Sequence, residues 1–164
     1  MRLKALQESH MKNTKRSFPA ATNAALISIH PNYVEKIISG EKRLEFRRTW
    51  AATPVEYLAI YSTAPVKRIV ALVEVGRTIR GSKTRLWELS RQEGGGISRR
   101  RLFSYLDGKK EAVALELKRR ITLATELDPS DVFGADFRPP QSFRYLTKQE
   151  WGLLRRRSKG ASWE

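Results

Sequence analysis

The stretch SGEKRLEFRR, residues 39–48, places six charged side chains in ten positions, at the junction of a helix-like and a strand-like segment. Gly40 suits the position just past a helix end. Strand period then sets Leu44 and Phe46 on one face and Arg43, Glu45 and Arg47 on the other. That alternation admits two readings. It is either an exposed ion-pair ladder, worth under about 1 kcal/mol per pair, or one wall of a cleft built to hold a charged ligand.

Working outward, AALISI (24–29) reads as a short buried strand. HPNYVEKIISG reads as a helix with Pro31 at its first position and an apolar face of Tyr33, Val34, Ile37 and Ile38. Downstream, EYLAIYST and RIVALVEV form two strands around a turn at Ala64-Pro65-Val66-Lys67. SKTRLWELSRQ and SRRRLFSYLDG form short helices capped by Ser82 and Ser98, on either side of Gly94-Gly95-Gly96. EAVALELKRRITL is a long strand with Val113, Leu115, Leu117, Ile121 and Leu123 on one parity. Arg119 shares that parity, which marks a bulge, a buried functional arginine or, most plainly, a strand leaving the core. After RPPQSFRYL, the capping-box spacing of Thr147 and Glu150 opens a last helix. Short strands broken by short helices define an α+β fold with a strongly bent or closed sheet.

The length, 164 residues, suits one domain, expected over 24–154 between a basic extension (1–23) and a basic tail (155–164). No apolar run reaches membrane-spanning length and the start lacks the apolar block of a secretory signal, so no membrane partner and a cytoplasmic location are expected. The absence of cysteine removes thiolate nucleophiles and thiolate metal sites. His10 and His30 are far apart with no carboxylate cluster between them, so neither a metal nor another cofactor is expected. The net charge of +15 falls only partly on the ends: residues 1–17 carry +4 and 155–164 carry +3, leaving +8 on 18–154. A body that basic implies a polyanionic partner, most plausibly nucleic acid.

The order LISIHPNYVEKIISGEKRLEFRR, LAIYSTAPVKRIVALVEV, LW, AVALELK, PPQSFRYL resembles the ASCH family of the PUA-like superfamily over Ala24–Leu146. Its signature, G-x-K-x-x-E-x-R, corresponds here to Gly40, Lys42, Glu45 and Arg47. The resemblance implies a small β-barrel, a strongly bent mixed sheet with short helices closing its ends, and a cleft beside the signature strand. It implies RNA or nucleotide binding; some relatives are ribonucleases, and a short-chain subgroup deacetylates acetylcytidine. In that subgroup the signature lysine activates a threonine three residues on. Glu45 stands there in this chain, which speaks against the amidohydrolase.

With the resemblance, the cleft reading is preferred over the ladder. Lys42, Arg43, Glu45, Arg47 and Arg48 are its expected ligand wall, since guanidinium forks match phosphate bidentately and an ammonium is a mobile point charge. If there is catalysis, Lys42 and Glu45 are its candidates, in a metal-independent ribonuclease or other RNA or nucleoside hydrolase. Tyr61, Ser62 and Thr63 end a strand expected to point at the same region, and Ser142, Arg144 and Tyr145 form the expected opposite wall. The Arg99–Arg101 and Lys118–Arg120 runs read as solvated faces that at most touch phosphate. His30 reads as a capping or packing residue, and a DNA-associated regulator acting through the basic ends is the third function considered. Because the charged residues alternate with Leu44 and Phe46, which pack, replacing Lys42 or Arg47 is expected to alter stability by under about 0.5 kcal/mol.

Overall fold

The computed structural model describes residues 23–159. The extension expected over 1–23 lies, apart from Asn23, outside the described residues, as does 160–164 of the basic tail. The elements follow the order β1 (Ala24–Ile29), α1 (Pro31–Ile38), β2 (Leu44–Arg47), β3 (Tyr57–Ser62), β4 (Arg68–Gly81), α2 (Lys83–Glu93) and α3 (Arg99–Tyr105). β5 (Ala112–Leu127), α4 (Ser130–Phe133), β6 (Phe143–Tyr145) and α5 (Lys148–Arg157) complete it. The arginines 155–157 thus belong to α5. The six strands form one mixed sheet ordered β2-β5-β4-β3-β1-β6, a half-barrel in which only the β1–β3 pair is parallel. The fold is PUA-like.

Local chemistry sets the ends of the helices. The Ser82 and Ser98 hydroxyls accept from the backbone N–H groups of Arg85 and Arg101, and Thr147 and Glu150 make both bonds of a capping box. His30 is the N-cap of α1, its Nδ1 accepting from the Asn32 N–H at 3.3 Å. Gly40, at φ +82°, ends the turn after α1. That positive φ favours glycine, and a β-carbon there would sit 3.1 Å from the Arg120 guanidinium, which would have to shift by a few tenths of an ångström.

Three apolar clusters hold the layers together. The first lies inside the curve of the sheet, where Ile27, Leu58, Ile60, Val73 and Leu115 meet Val34 and Ile37 of α1. The second, on the opposite face, joins Leu26, Leu72, Ile121 and Leu123 to Trp151 and Leu154 of α5. In the third, Leu44 and Phe46 pack with Leu86 of α2 and Leu102 of α3. The single parity expected along β5 is therefore divided between two clusters. Leu117 pairs with Val75 but Arg120 pairs with Val73, so β5 carries an extra residue there and its facing reverses. Arg119 accordingly leaves the inner face and pairs with Glu74, 42% exposed at its side chain. The plain reading of a strand leaving the core gives way to a bulge.

Candidate functional site

β2 is short, and all four of its residues are buried. Leu44 and Phe46 pack into the third cluster, while Glu45 and Arg47 lie opposite Leu115 and Val113 of β5, on the inner face of the half-barrel. The charged face is thus inside the molecule. Lys42, Glu45 and Arg47 are 3%, 7% and 6% exposed, which overturns the expectation that Lys42 and Arg47 could be removed at little cost to stability.

The three charges form a chain. One Glu45 oxygen lies 3.4 Å from Lys42 Nζ, and the other accepts from Arg47 Nη1 at 3.3 Å. Lys42 Nζ also donates to the Gly95 carbonyl at 2.8 Å and sits about 5 Å from the ring centres of Tyr33 and Phe46. Burial pushes its pKa below the ordinary lysine value of 10.5, a shift that the Glu45 charge opposes. The lysine reaches Gly95 because the triple-glycine turn passes so close. A β-carbon on Gly96 (φ +61°) would lie 2.7 Å from Lys42 Cβ.

Arg47 does something that sequence reasoning does not foresee. β2 is one edge of the sheet, and β1 and β6 end the other. Arg47 Nη1 donates to the Ser28 carbonyl of β1 at 3.2 Å, and Nη2 donates to the Ser142 carbonyl and hydroxyl at 2.8 and 3.1 Å. One guanidinium therefore clasps the two edges of the half-barrel across its open side. Ser142 enters as the receiver of that clasp, and Ser28 Oγ adds a bond to the Pro140 carbonyl at 2.7 Å.

Beside this chain opens a cleft of about 660 Å³, within the usual range for a ligand site. Lys42, Glu45 and Arg47 form its floor, and Tyr33 and His30 line the side toward α1. The other side is α3, which contributes Arg100, Arg101, Ser104 and Tyr105. Arg100 and Arg101 are exposed, and neither side chain has a partner among the described residues. The run read as a solvated face thus carries the cleft's uncommitted guanidiniums. Its signal in the sequence was the cap at Ser98 followed by three arginines, which places them at the start of a helix but not beside β2.

Several expected site residues lie elsewhere. Arg43 points away from the cleft, toward Gly94 and a separate depression beside Lys118. Arg48 sits exposed, donating to the Tyr105 and Asp107 carbonyls at 2.6 and 2.9 Å, and so fixes the end of α3. Tyr61 belongs to the second cluster, 5.7 Å from Phe137, because β3 parity turns it to the opposite face. Ser62 is 1% exposed and away from the cleft lining, and the Thr63 N–H donates to the Ile29 carbonyl. Arg144 is drawn to Glu150 and lies over Phe133, and the Tyr145 hydroxyl accepts from the Thr53 N–H at 3.2 Å. Of the opposite wall, Ser142 alone touches the floor. Among the described residues no three His, Asp or Glu side chains gather as a metal would require.

A PUA-like half-barrel with a cation-floored cleft defines the class, and the comparisons with known proteins narrow it. No protein-family model matches the chain. A curated protein of Zymomonas mobilis named ASCH domain-containing ribonuclease is 31% identical over 131 residues, 77% of this chain and 86% of that protein. The crystal structure of ASCH from Zymomonas mobilis superimposes with a TM-score of 0.71 at 28% identity, covering 80% of this chain and 92% of that one. A tyrosine-to-phenylalanine variant of that protein gives the same TM-score over 95% of its chain. The chain belongs to the ASCH domain family.

Proposed function

We propose that the cleft binds single-stranded RNA and cleaves it without a metal ion. The carrying observation is that Arg100 and Arg101, without a partner among the described residues, face a floor made by the buried Lys42–Glu45–Arg47 chain. Free guanidiniums on the rim can take the phosphates on either side of a scissile bond. Tyr33 and Tyr105 offer rings on which bases stack, and a splayed single strand exposes those bases where a duplex hides them.

The chemistry follows from the floor. In backbone cleavage by transesterification, the 2′-oxygen attacks phosphorus as its proton passes to solvent water, the bond from phosphorus to the 5′-oxygen breaks, and that oxygen leaves with a proton taken from solvent. Negative charge grows on the phosphoryl oxygens during attack, and a fixed ammonium in a partly dry site stabilises it. Lys42 fits that role: with Gly95 and Glu45 holding it, one N–H remains to face the cleft. Both Glu45 oxygens are engaged by cations, so its task is to hold Lys42 rather than to collect a proton. The ribonuclease name of the Zymomonas relative supports the same reading.

The test is to incubate the protein with end-labelled single-stranded RNA, duplex RNA and single-stranded DNA in the presence of chelator. Cleavage of single-stranded RNA alone is expected, falling at least a hundredfold in Lys42→Met while the RNA still binds. Retention of RNA without any cleavage would make the domain a binding module. Equal handling of DNA would remove the role assigned to the 2′-oxygen.

A further inference from the structure

The cleft does not stop at α3. A groove of about 250 Å³ leaves it between α1 and the start of α3, sharing Tyr33, Ile97, Ser98 and Arg101 with it. That groove in turn shares Lys36, Gly96 and Ile97 with a third hollow of about 380 Å³, which runs over the triple-glycine turn to α2. Their shared lining residues string the three spaces in a row around the Gly94–Gly96 turn. This track passes from the Lys42 floor, over Arg101, to Lys36, Trp87 and Arg91.

We infer that this track carries the RNA strand beyond the cleaved bond, with Trp87 as a remote base platform. The inference rests on the RNA reading of the cleft and extends it from a nucleotide-sized site to a polynucleotide path. Three observations carry it. The charge along the track is complementary to a phosphate backbone: among the described residues Arg101 has no partner and Arg91 is held only by Glu88 on its own helix, and Lys36 meets Glu41 in an exposed pair. Exposed pairs of that kind are weak and open readily to a phosphate. Trp87 is only partly buried, its inner edge on the third apolar cluster, and it lines the far hollow among these cations. Finally, the track is edged by backbone that is already fixed, because Lys36 Nζ donates to the Gly96 carbonyl at 3.3 Å and Lys42 to that of Gly95. A mononucleotide would use none of the far hollow. A single strand of several residues fits the alternation of cation and aromatic ring by which such strands are held without sequence preference.

The experiment compares a dinucleotide with an octanucleotide, both 2′-O-methylated so that neither is cleaved, by fluorescence anisotropy at two salt concentrations. The octanucleotide is expected to bind at least about tenfold more tightly, the gain of one stacked base and added phosphate contacts. Trp87→Ala should remove about tenfold of octanucleotide affinity and leave the dinucleotide unchanged. Because Trp87 also packs inward, Arg91→Gln serves as the milder variant, losing only an exposed pair on its own helix; it should weaken the octanucleotide alone and flatten its salt dependence. If both variants bind the octanucleotide as the wild type does, or if they weaken the dinucleotide equally, the track is overturned while the cleft stands. If the wild type binds neither oligonucleotide, the RNA reading of the cleft and the track fall together.

Discussion

On β2, Glu45 and Arg47 are buried and engaged on several sides, whereas on α3 Arg100 and Arg101 stand in solvent with no partner among the described residues. Both groups border one cleft. A buried charge must be compensated by its neighbours, so the β2 charges are committed to the fold and to one another. An exposed charge loses little by waiting, so the α3 arginines remain available to a ligand. On the proposed reading, the buried charges of β2 build the cleft floor and the basic run of α3 is what meets the ligand. The largest consequence concerns the clasp. Arg47→Ala removes the bonds to Ser28 and Ser142 and leaves Glu45 with Lys42 alone, and should cost about 3–5 kcal/mol of stability by urea titration. Arg47→Lys should recover little of it, since one ammonium cannot span both edges as the planar fork does. A loss under about 1 kcal/mol would place Arg47 with the α3 arginines and dissolve the contrast.

Glu45→Gln should come next. It keeps the shape but withdraws a charge from two buried cations, for a loss of about 1–3 kcal/mol at neutral pH. The pH dependence sharpens the attribution. Lys42 has a folded pKa below its ordinary 10.5, so across that window the unfolded chain binds more protons and stability climbs as pH rises. Removing the opposing Glu45 charge lowers the folded pKa further and widens the window downward. The deficit of Glu45→Gln relative to wild type should therefore be greatest at neutral pH and shrink as Lys42 loses its proton. A deficit that stays flat up to the ordinary lysine range would mean that Lys42 is not the cation Glu45 supports.

The order of elements was legible because it is written in local chemistry: the serine caps, the Thr147–Glu150 box, Gly40 and the apolar periods of α1 and β3. Lys42, Glu45 and Arg47 were legible as a group from their spacing and family signature. Their burial was not, because alternation says which residues share a face but not whether that face is inside or outside a curved sheet. Tyr61 was misplaced for a related reason: the residue's parity is clear, but the face that parity selects depends on the tertiary fold. The clasp joins residues 95 positions apart in sequence, and nothing local to Arg47 or Ser142 announces it. The β5 bulge was visible only as an arginine out of place. Arg100 and Arg101 were read as a solvated face that at most touches phosphate, and solvated they are; what the run could not show is that α3 lines the cleft beside β2.

The smallest expected effect on the fold is also the one that tests the contrast from the other side. Arg100→Ala and Arg101→Ala remove side chains that hold nothing else in place among the described residues, so each should change stability by under about 0.5 kcal/mol. Binding should respond where stability does not. If each guanidinium neutralises one phosphate of a single strand, each replacement lowers the slope of log K against log salt by roughly 0.7, and the double variant lowers it by about twice that. An unchanged salt slope in the double variant would show that the rim does not touch phosphate, and the cations that do would then have to be sought among the buried charges. That result would reverse the division of labour and leave the phosphate to the one Lys42 N–H that Glu45 and Gly95 do not hold.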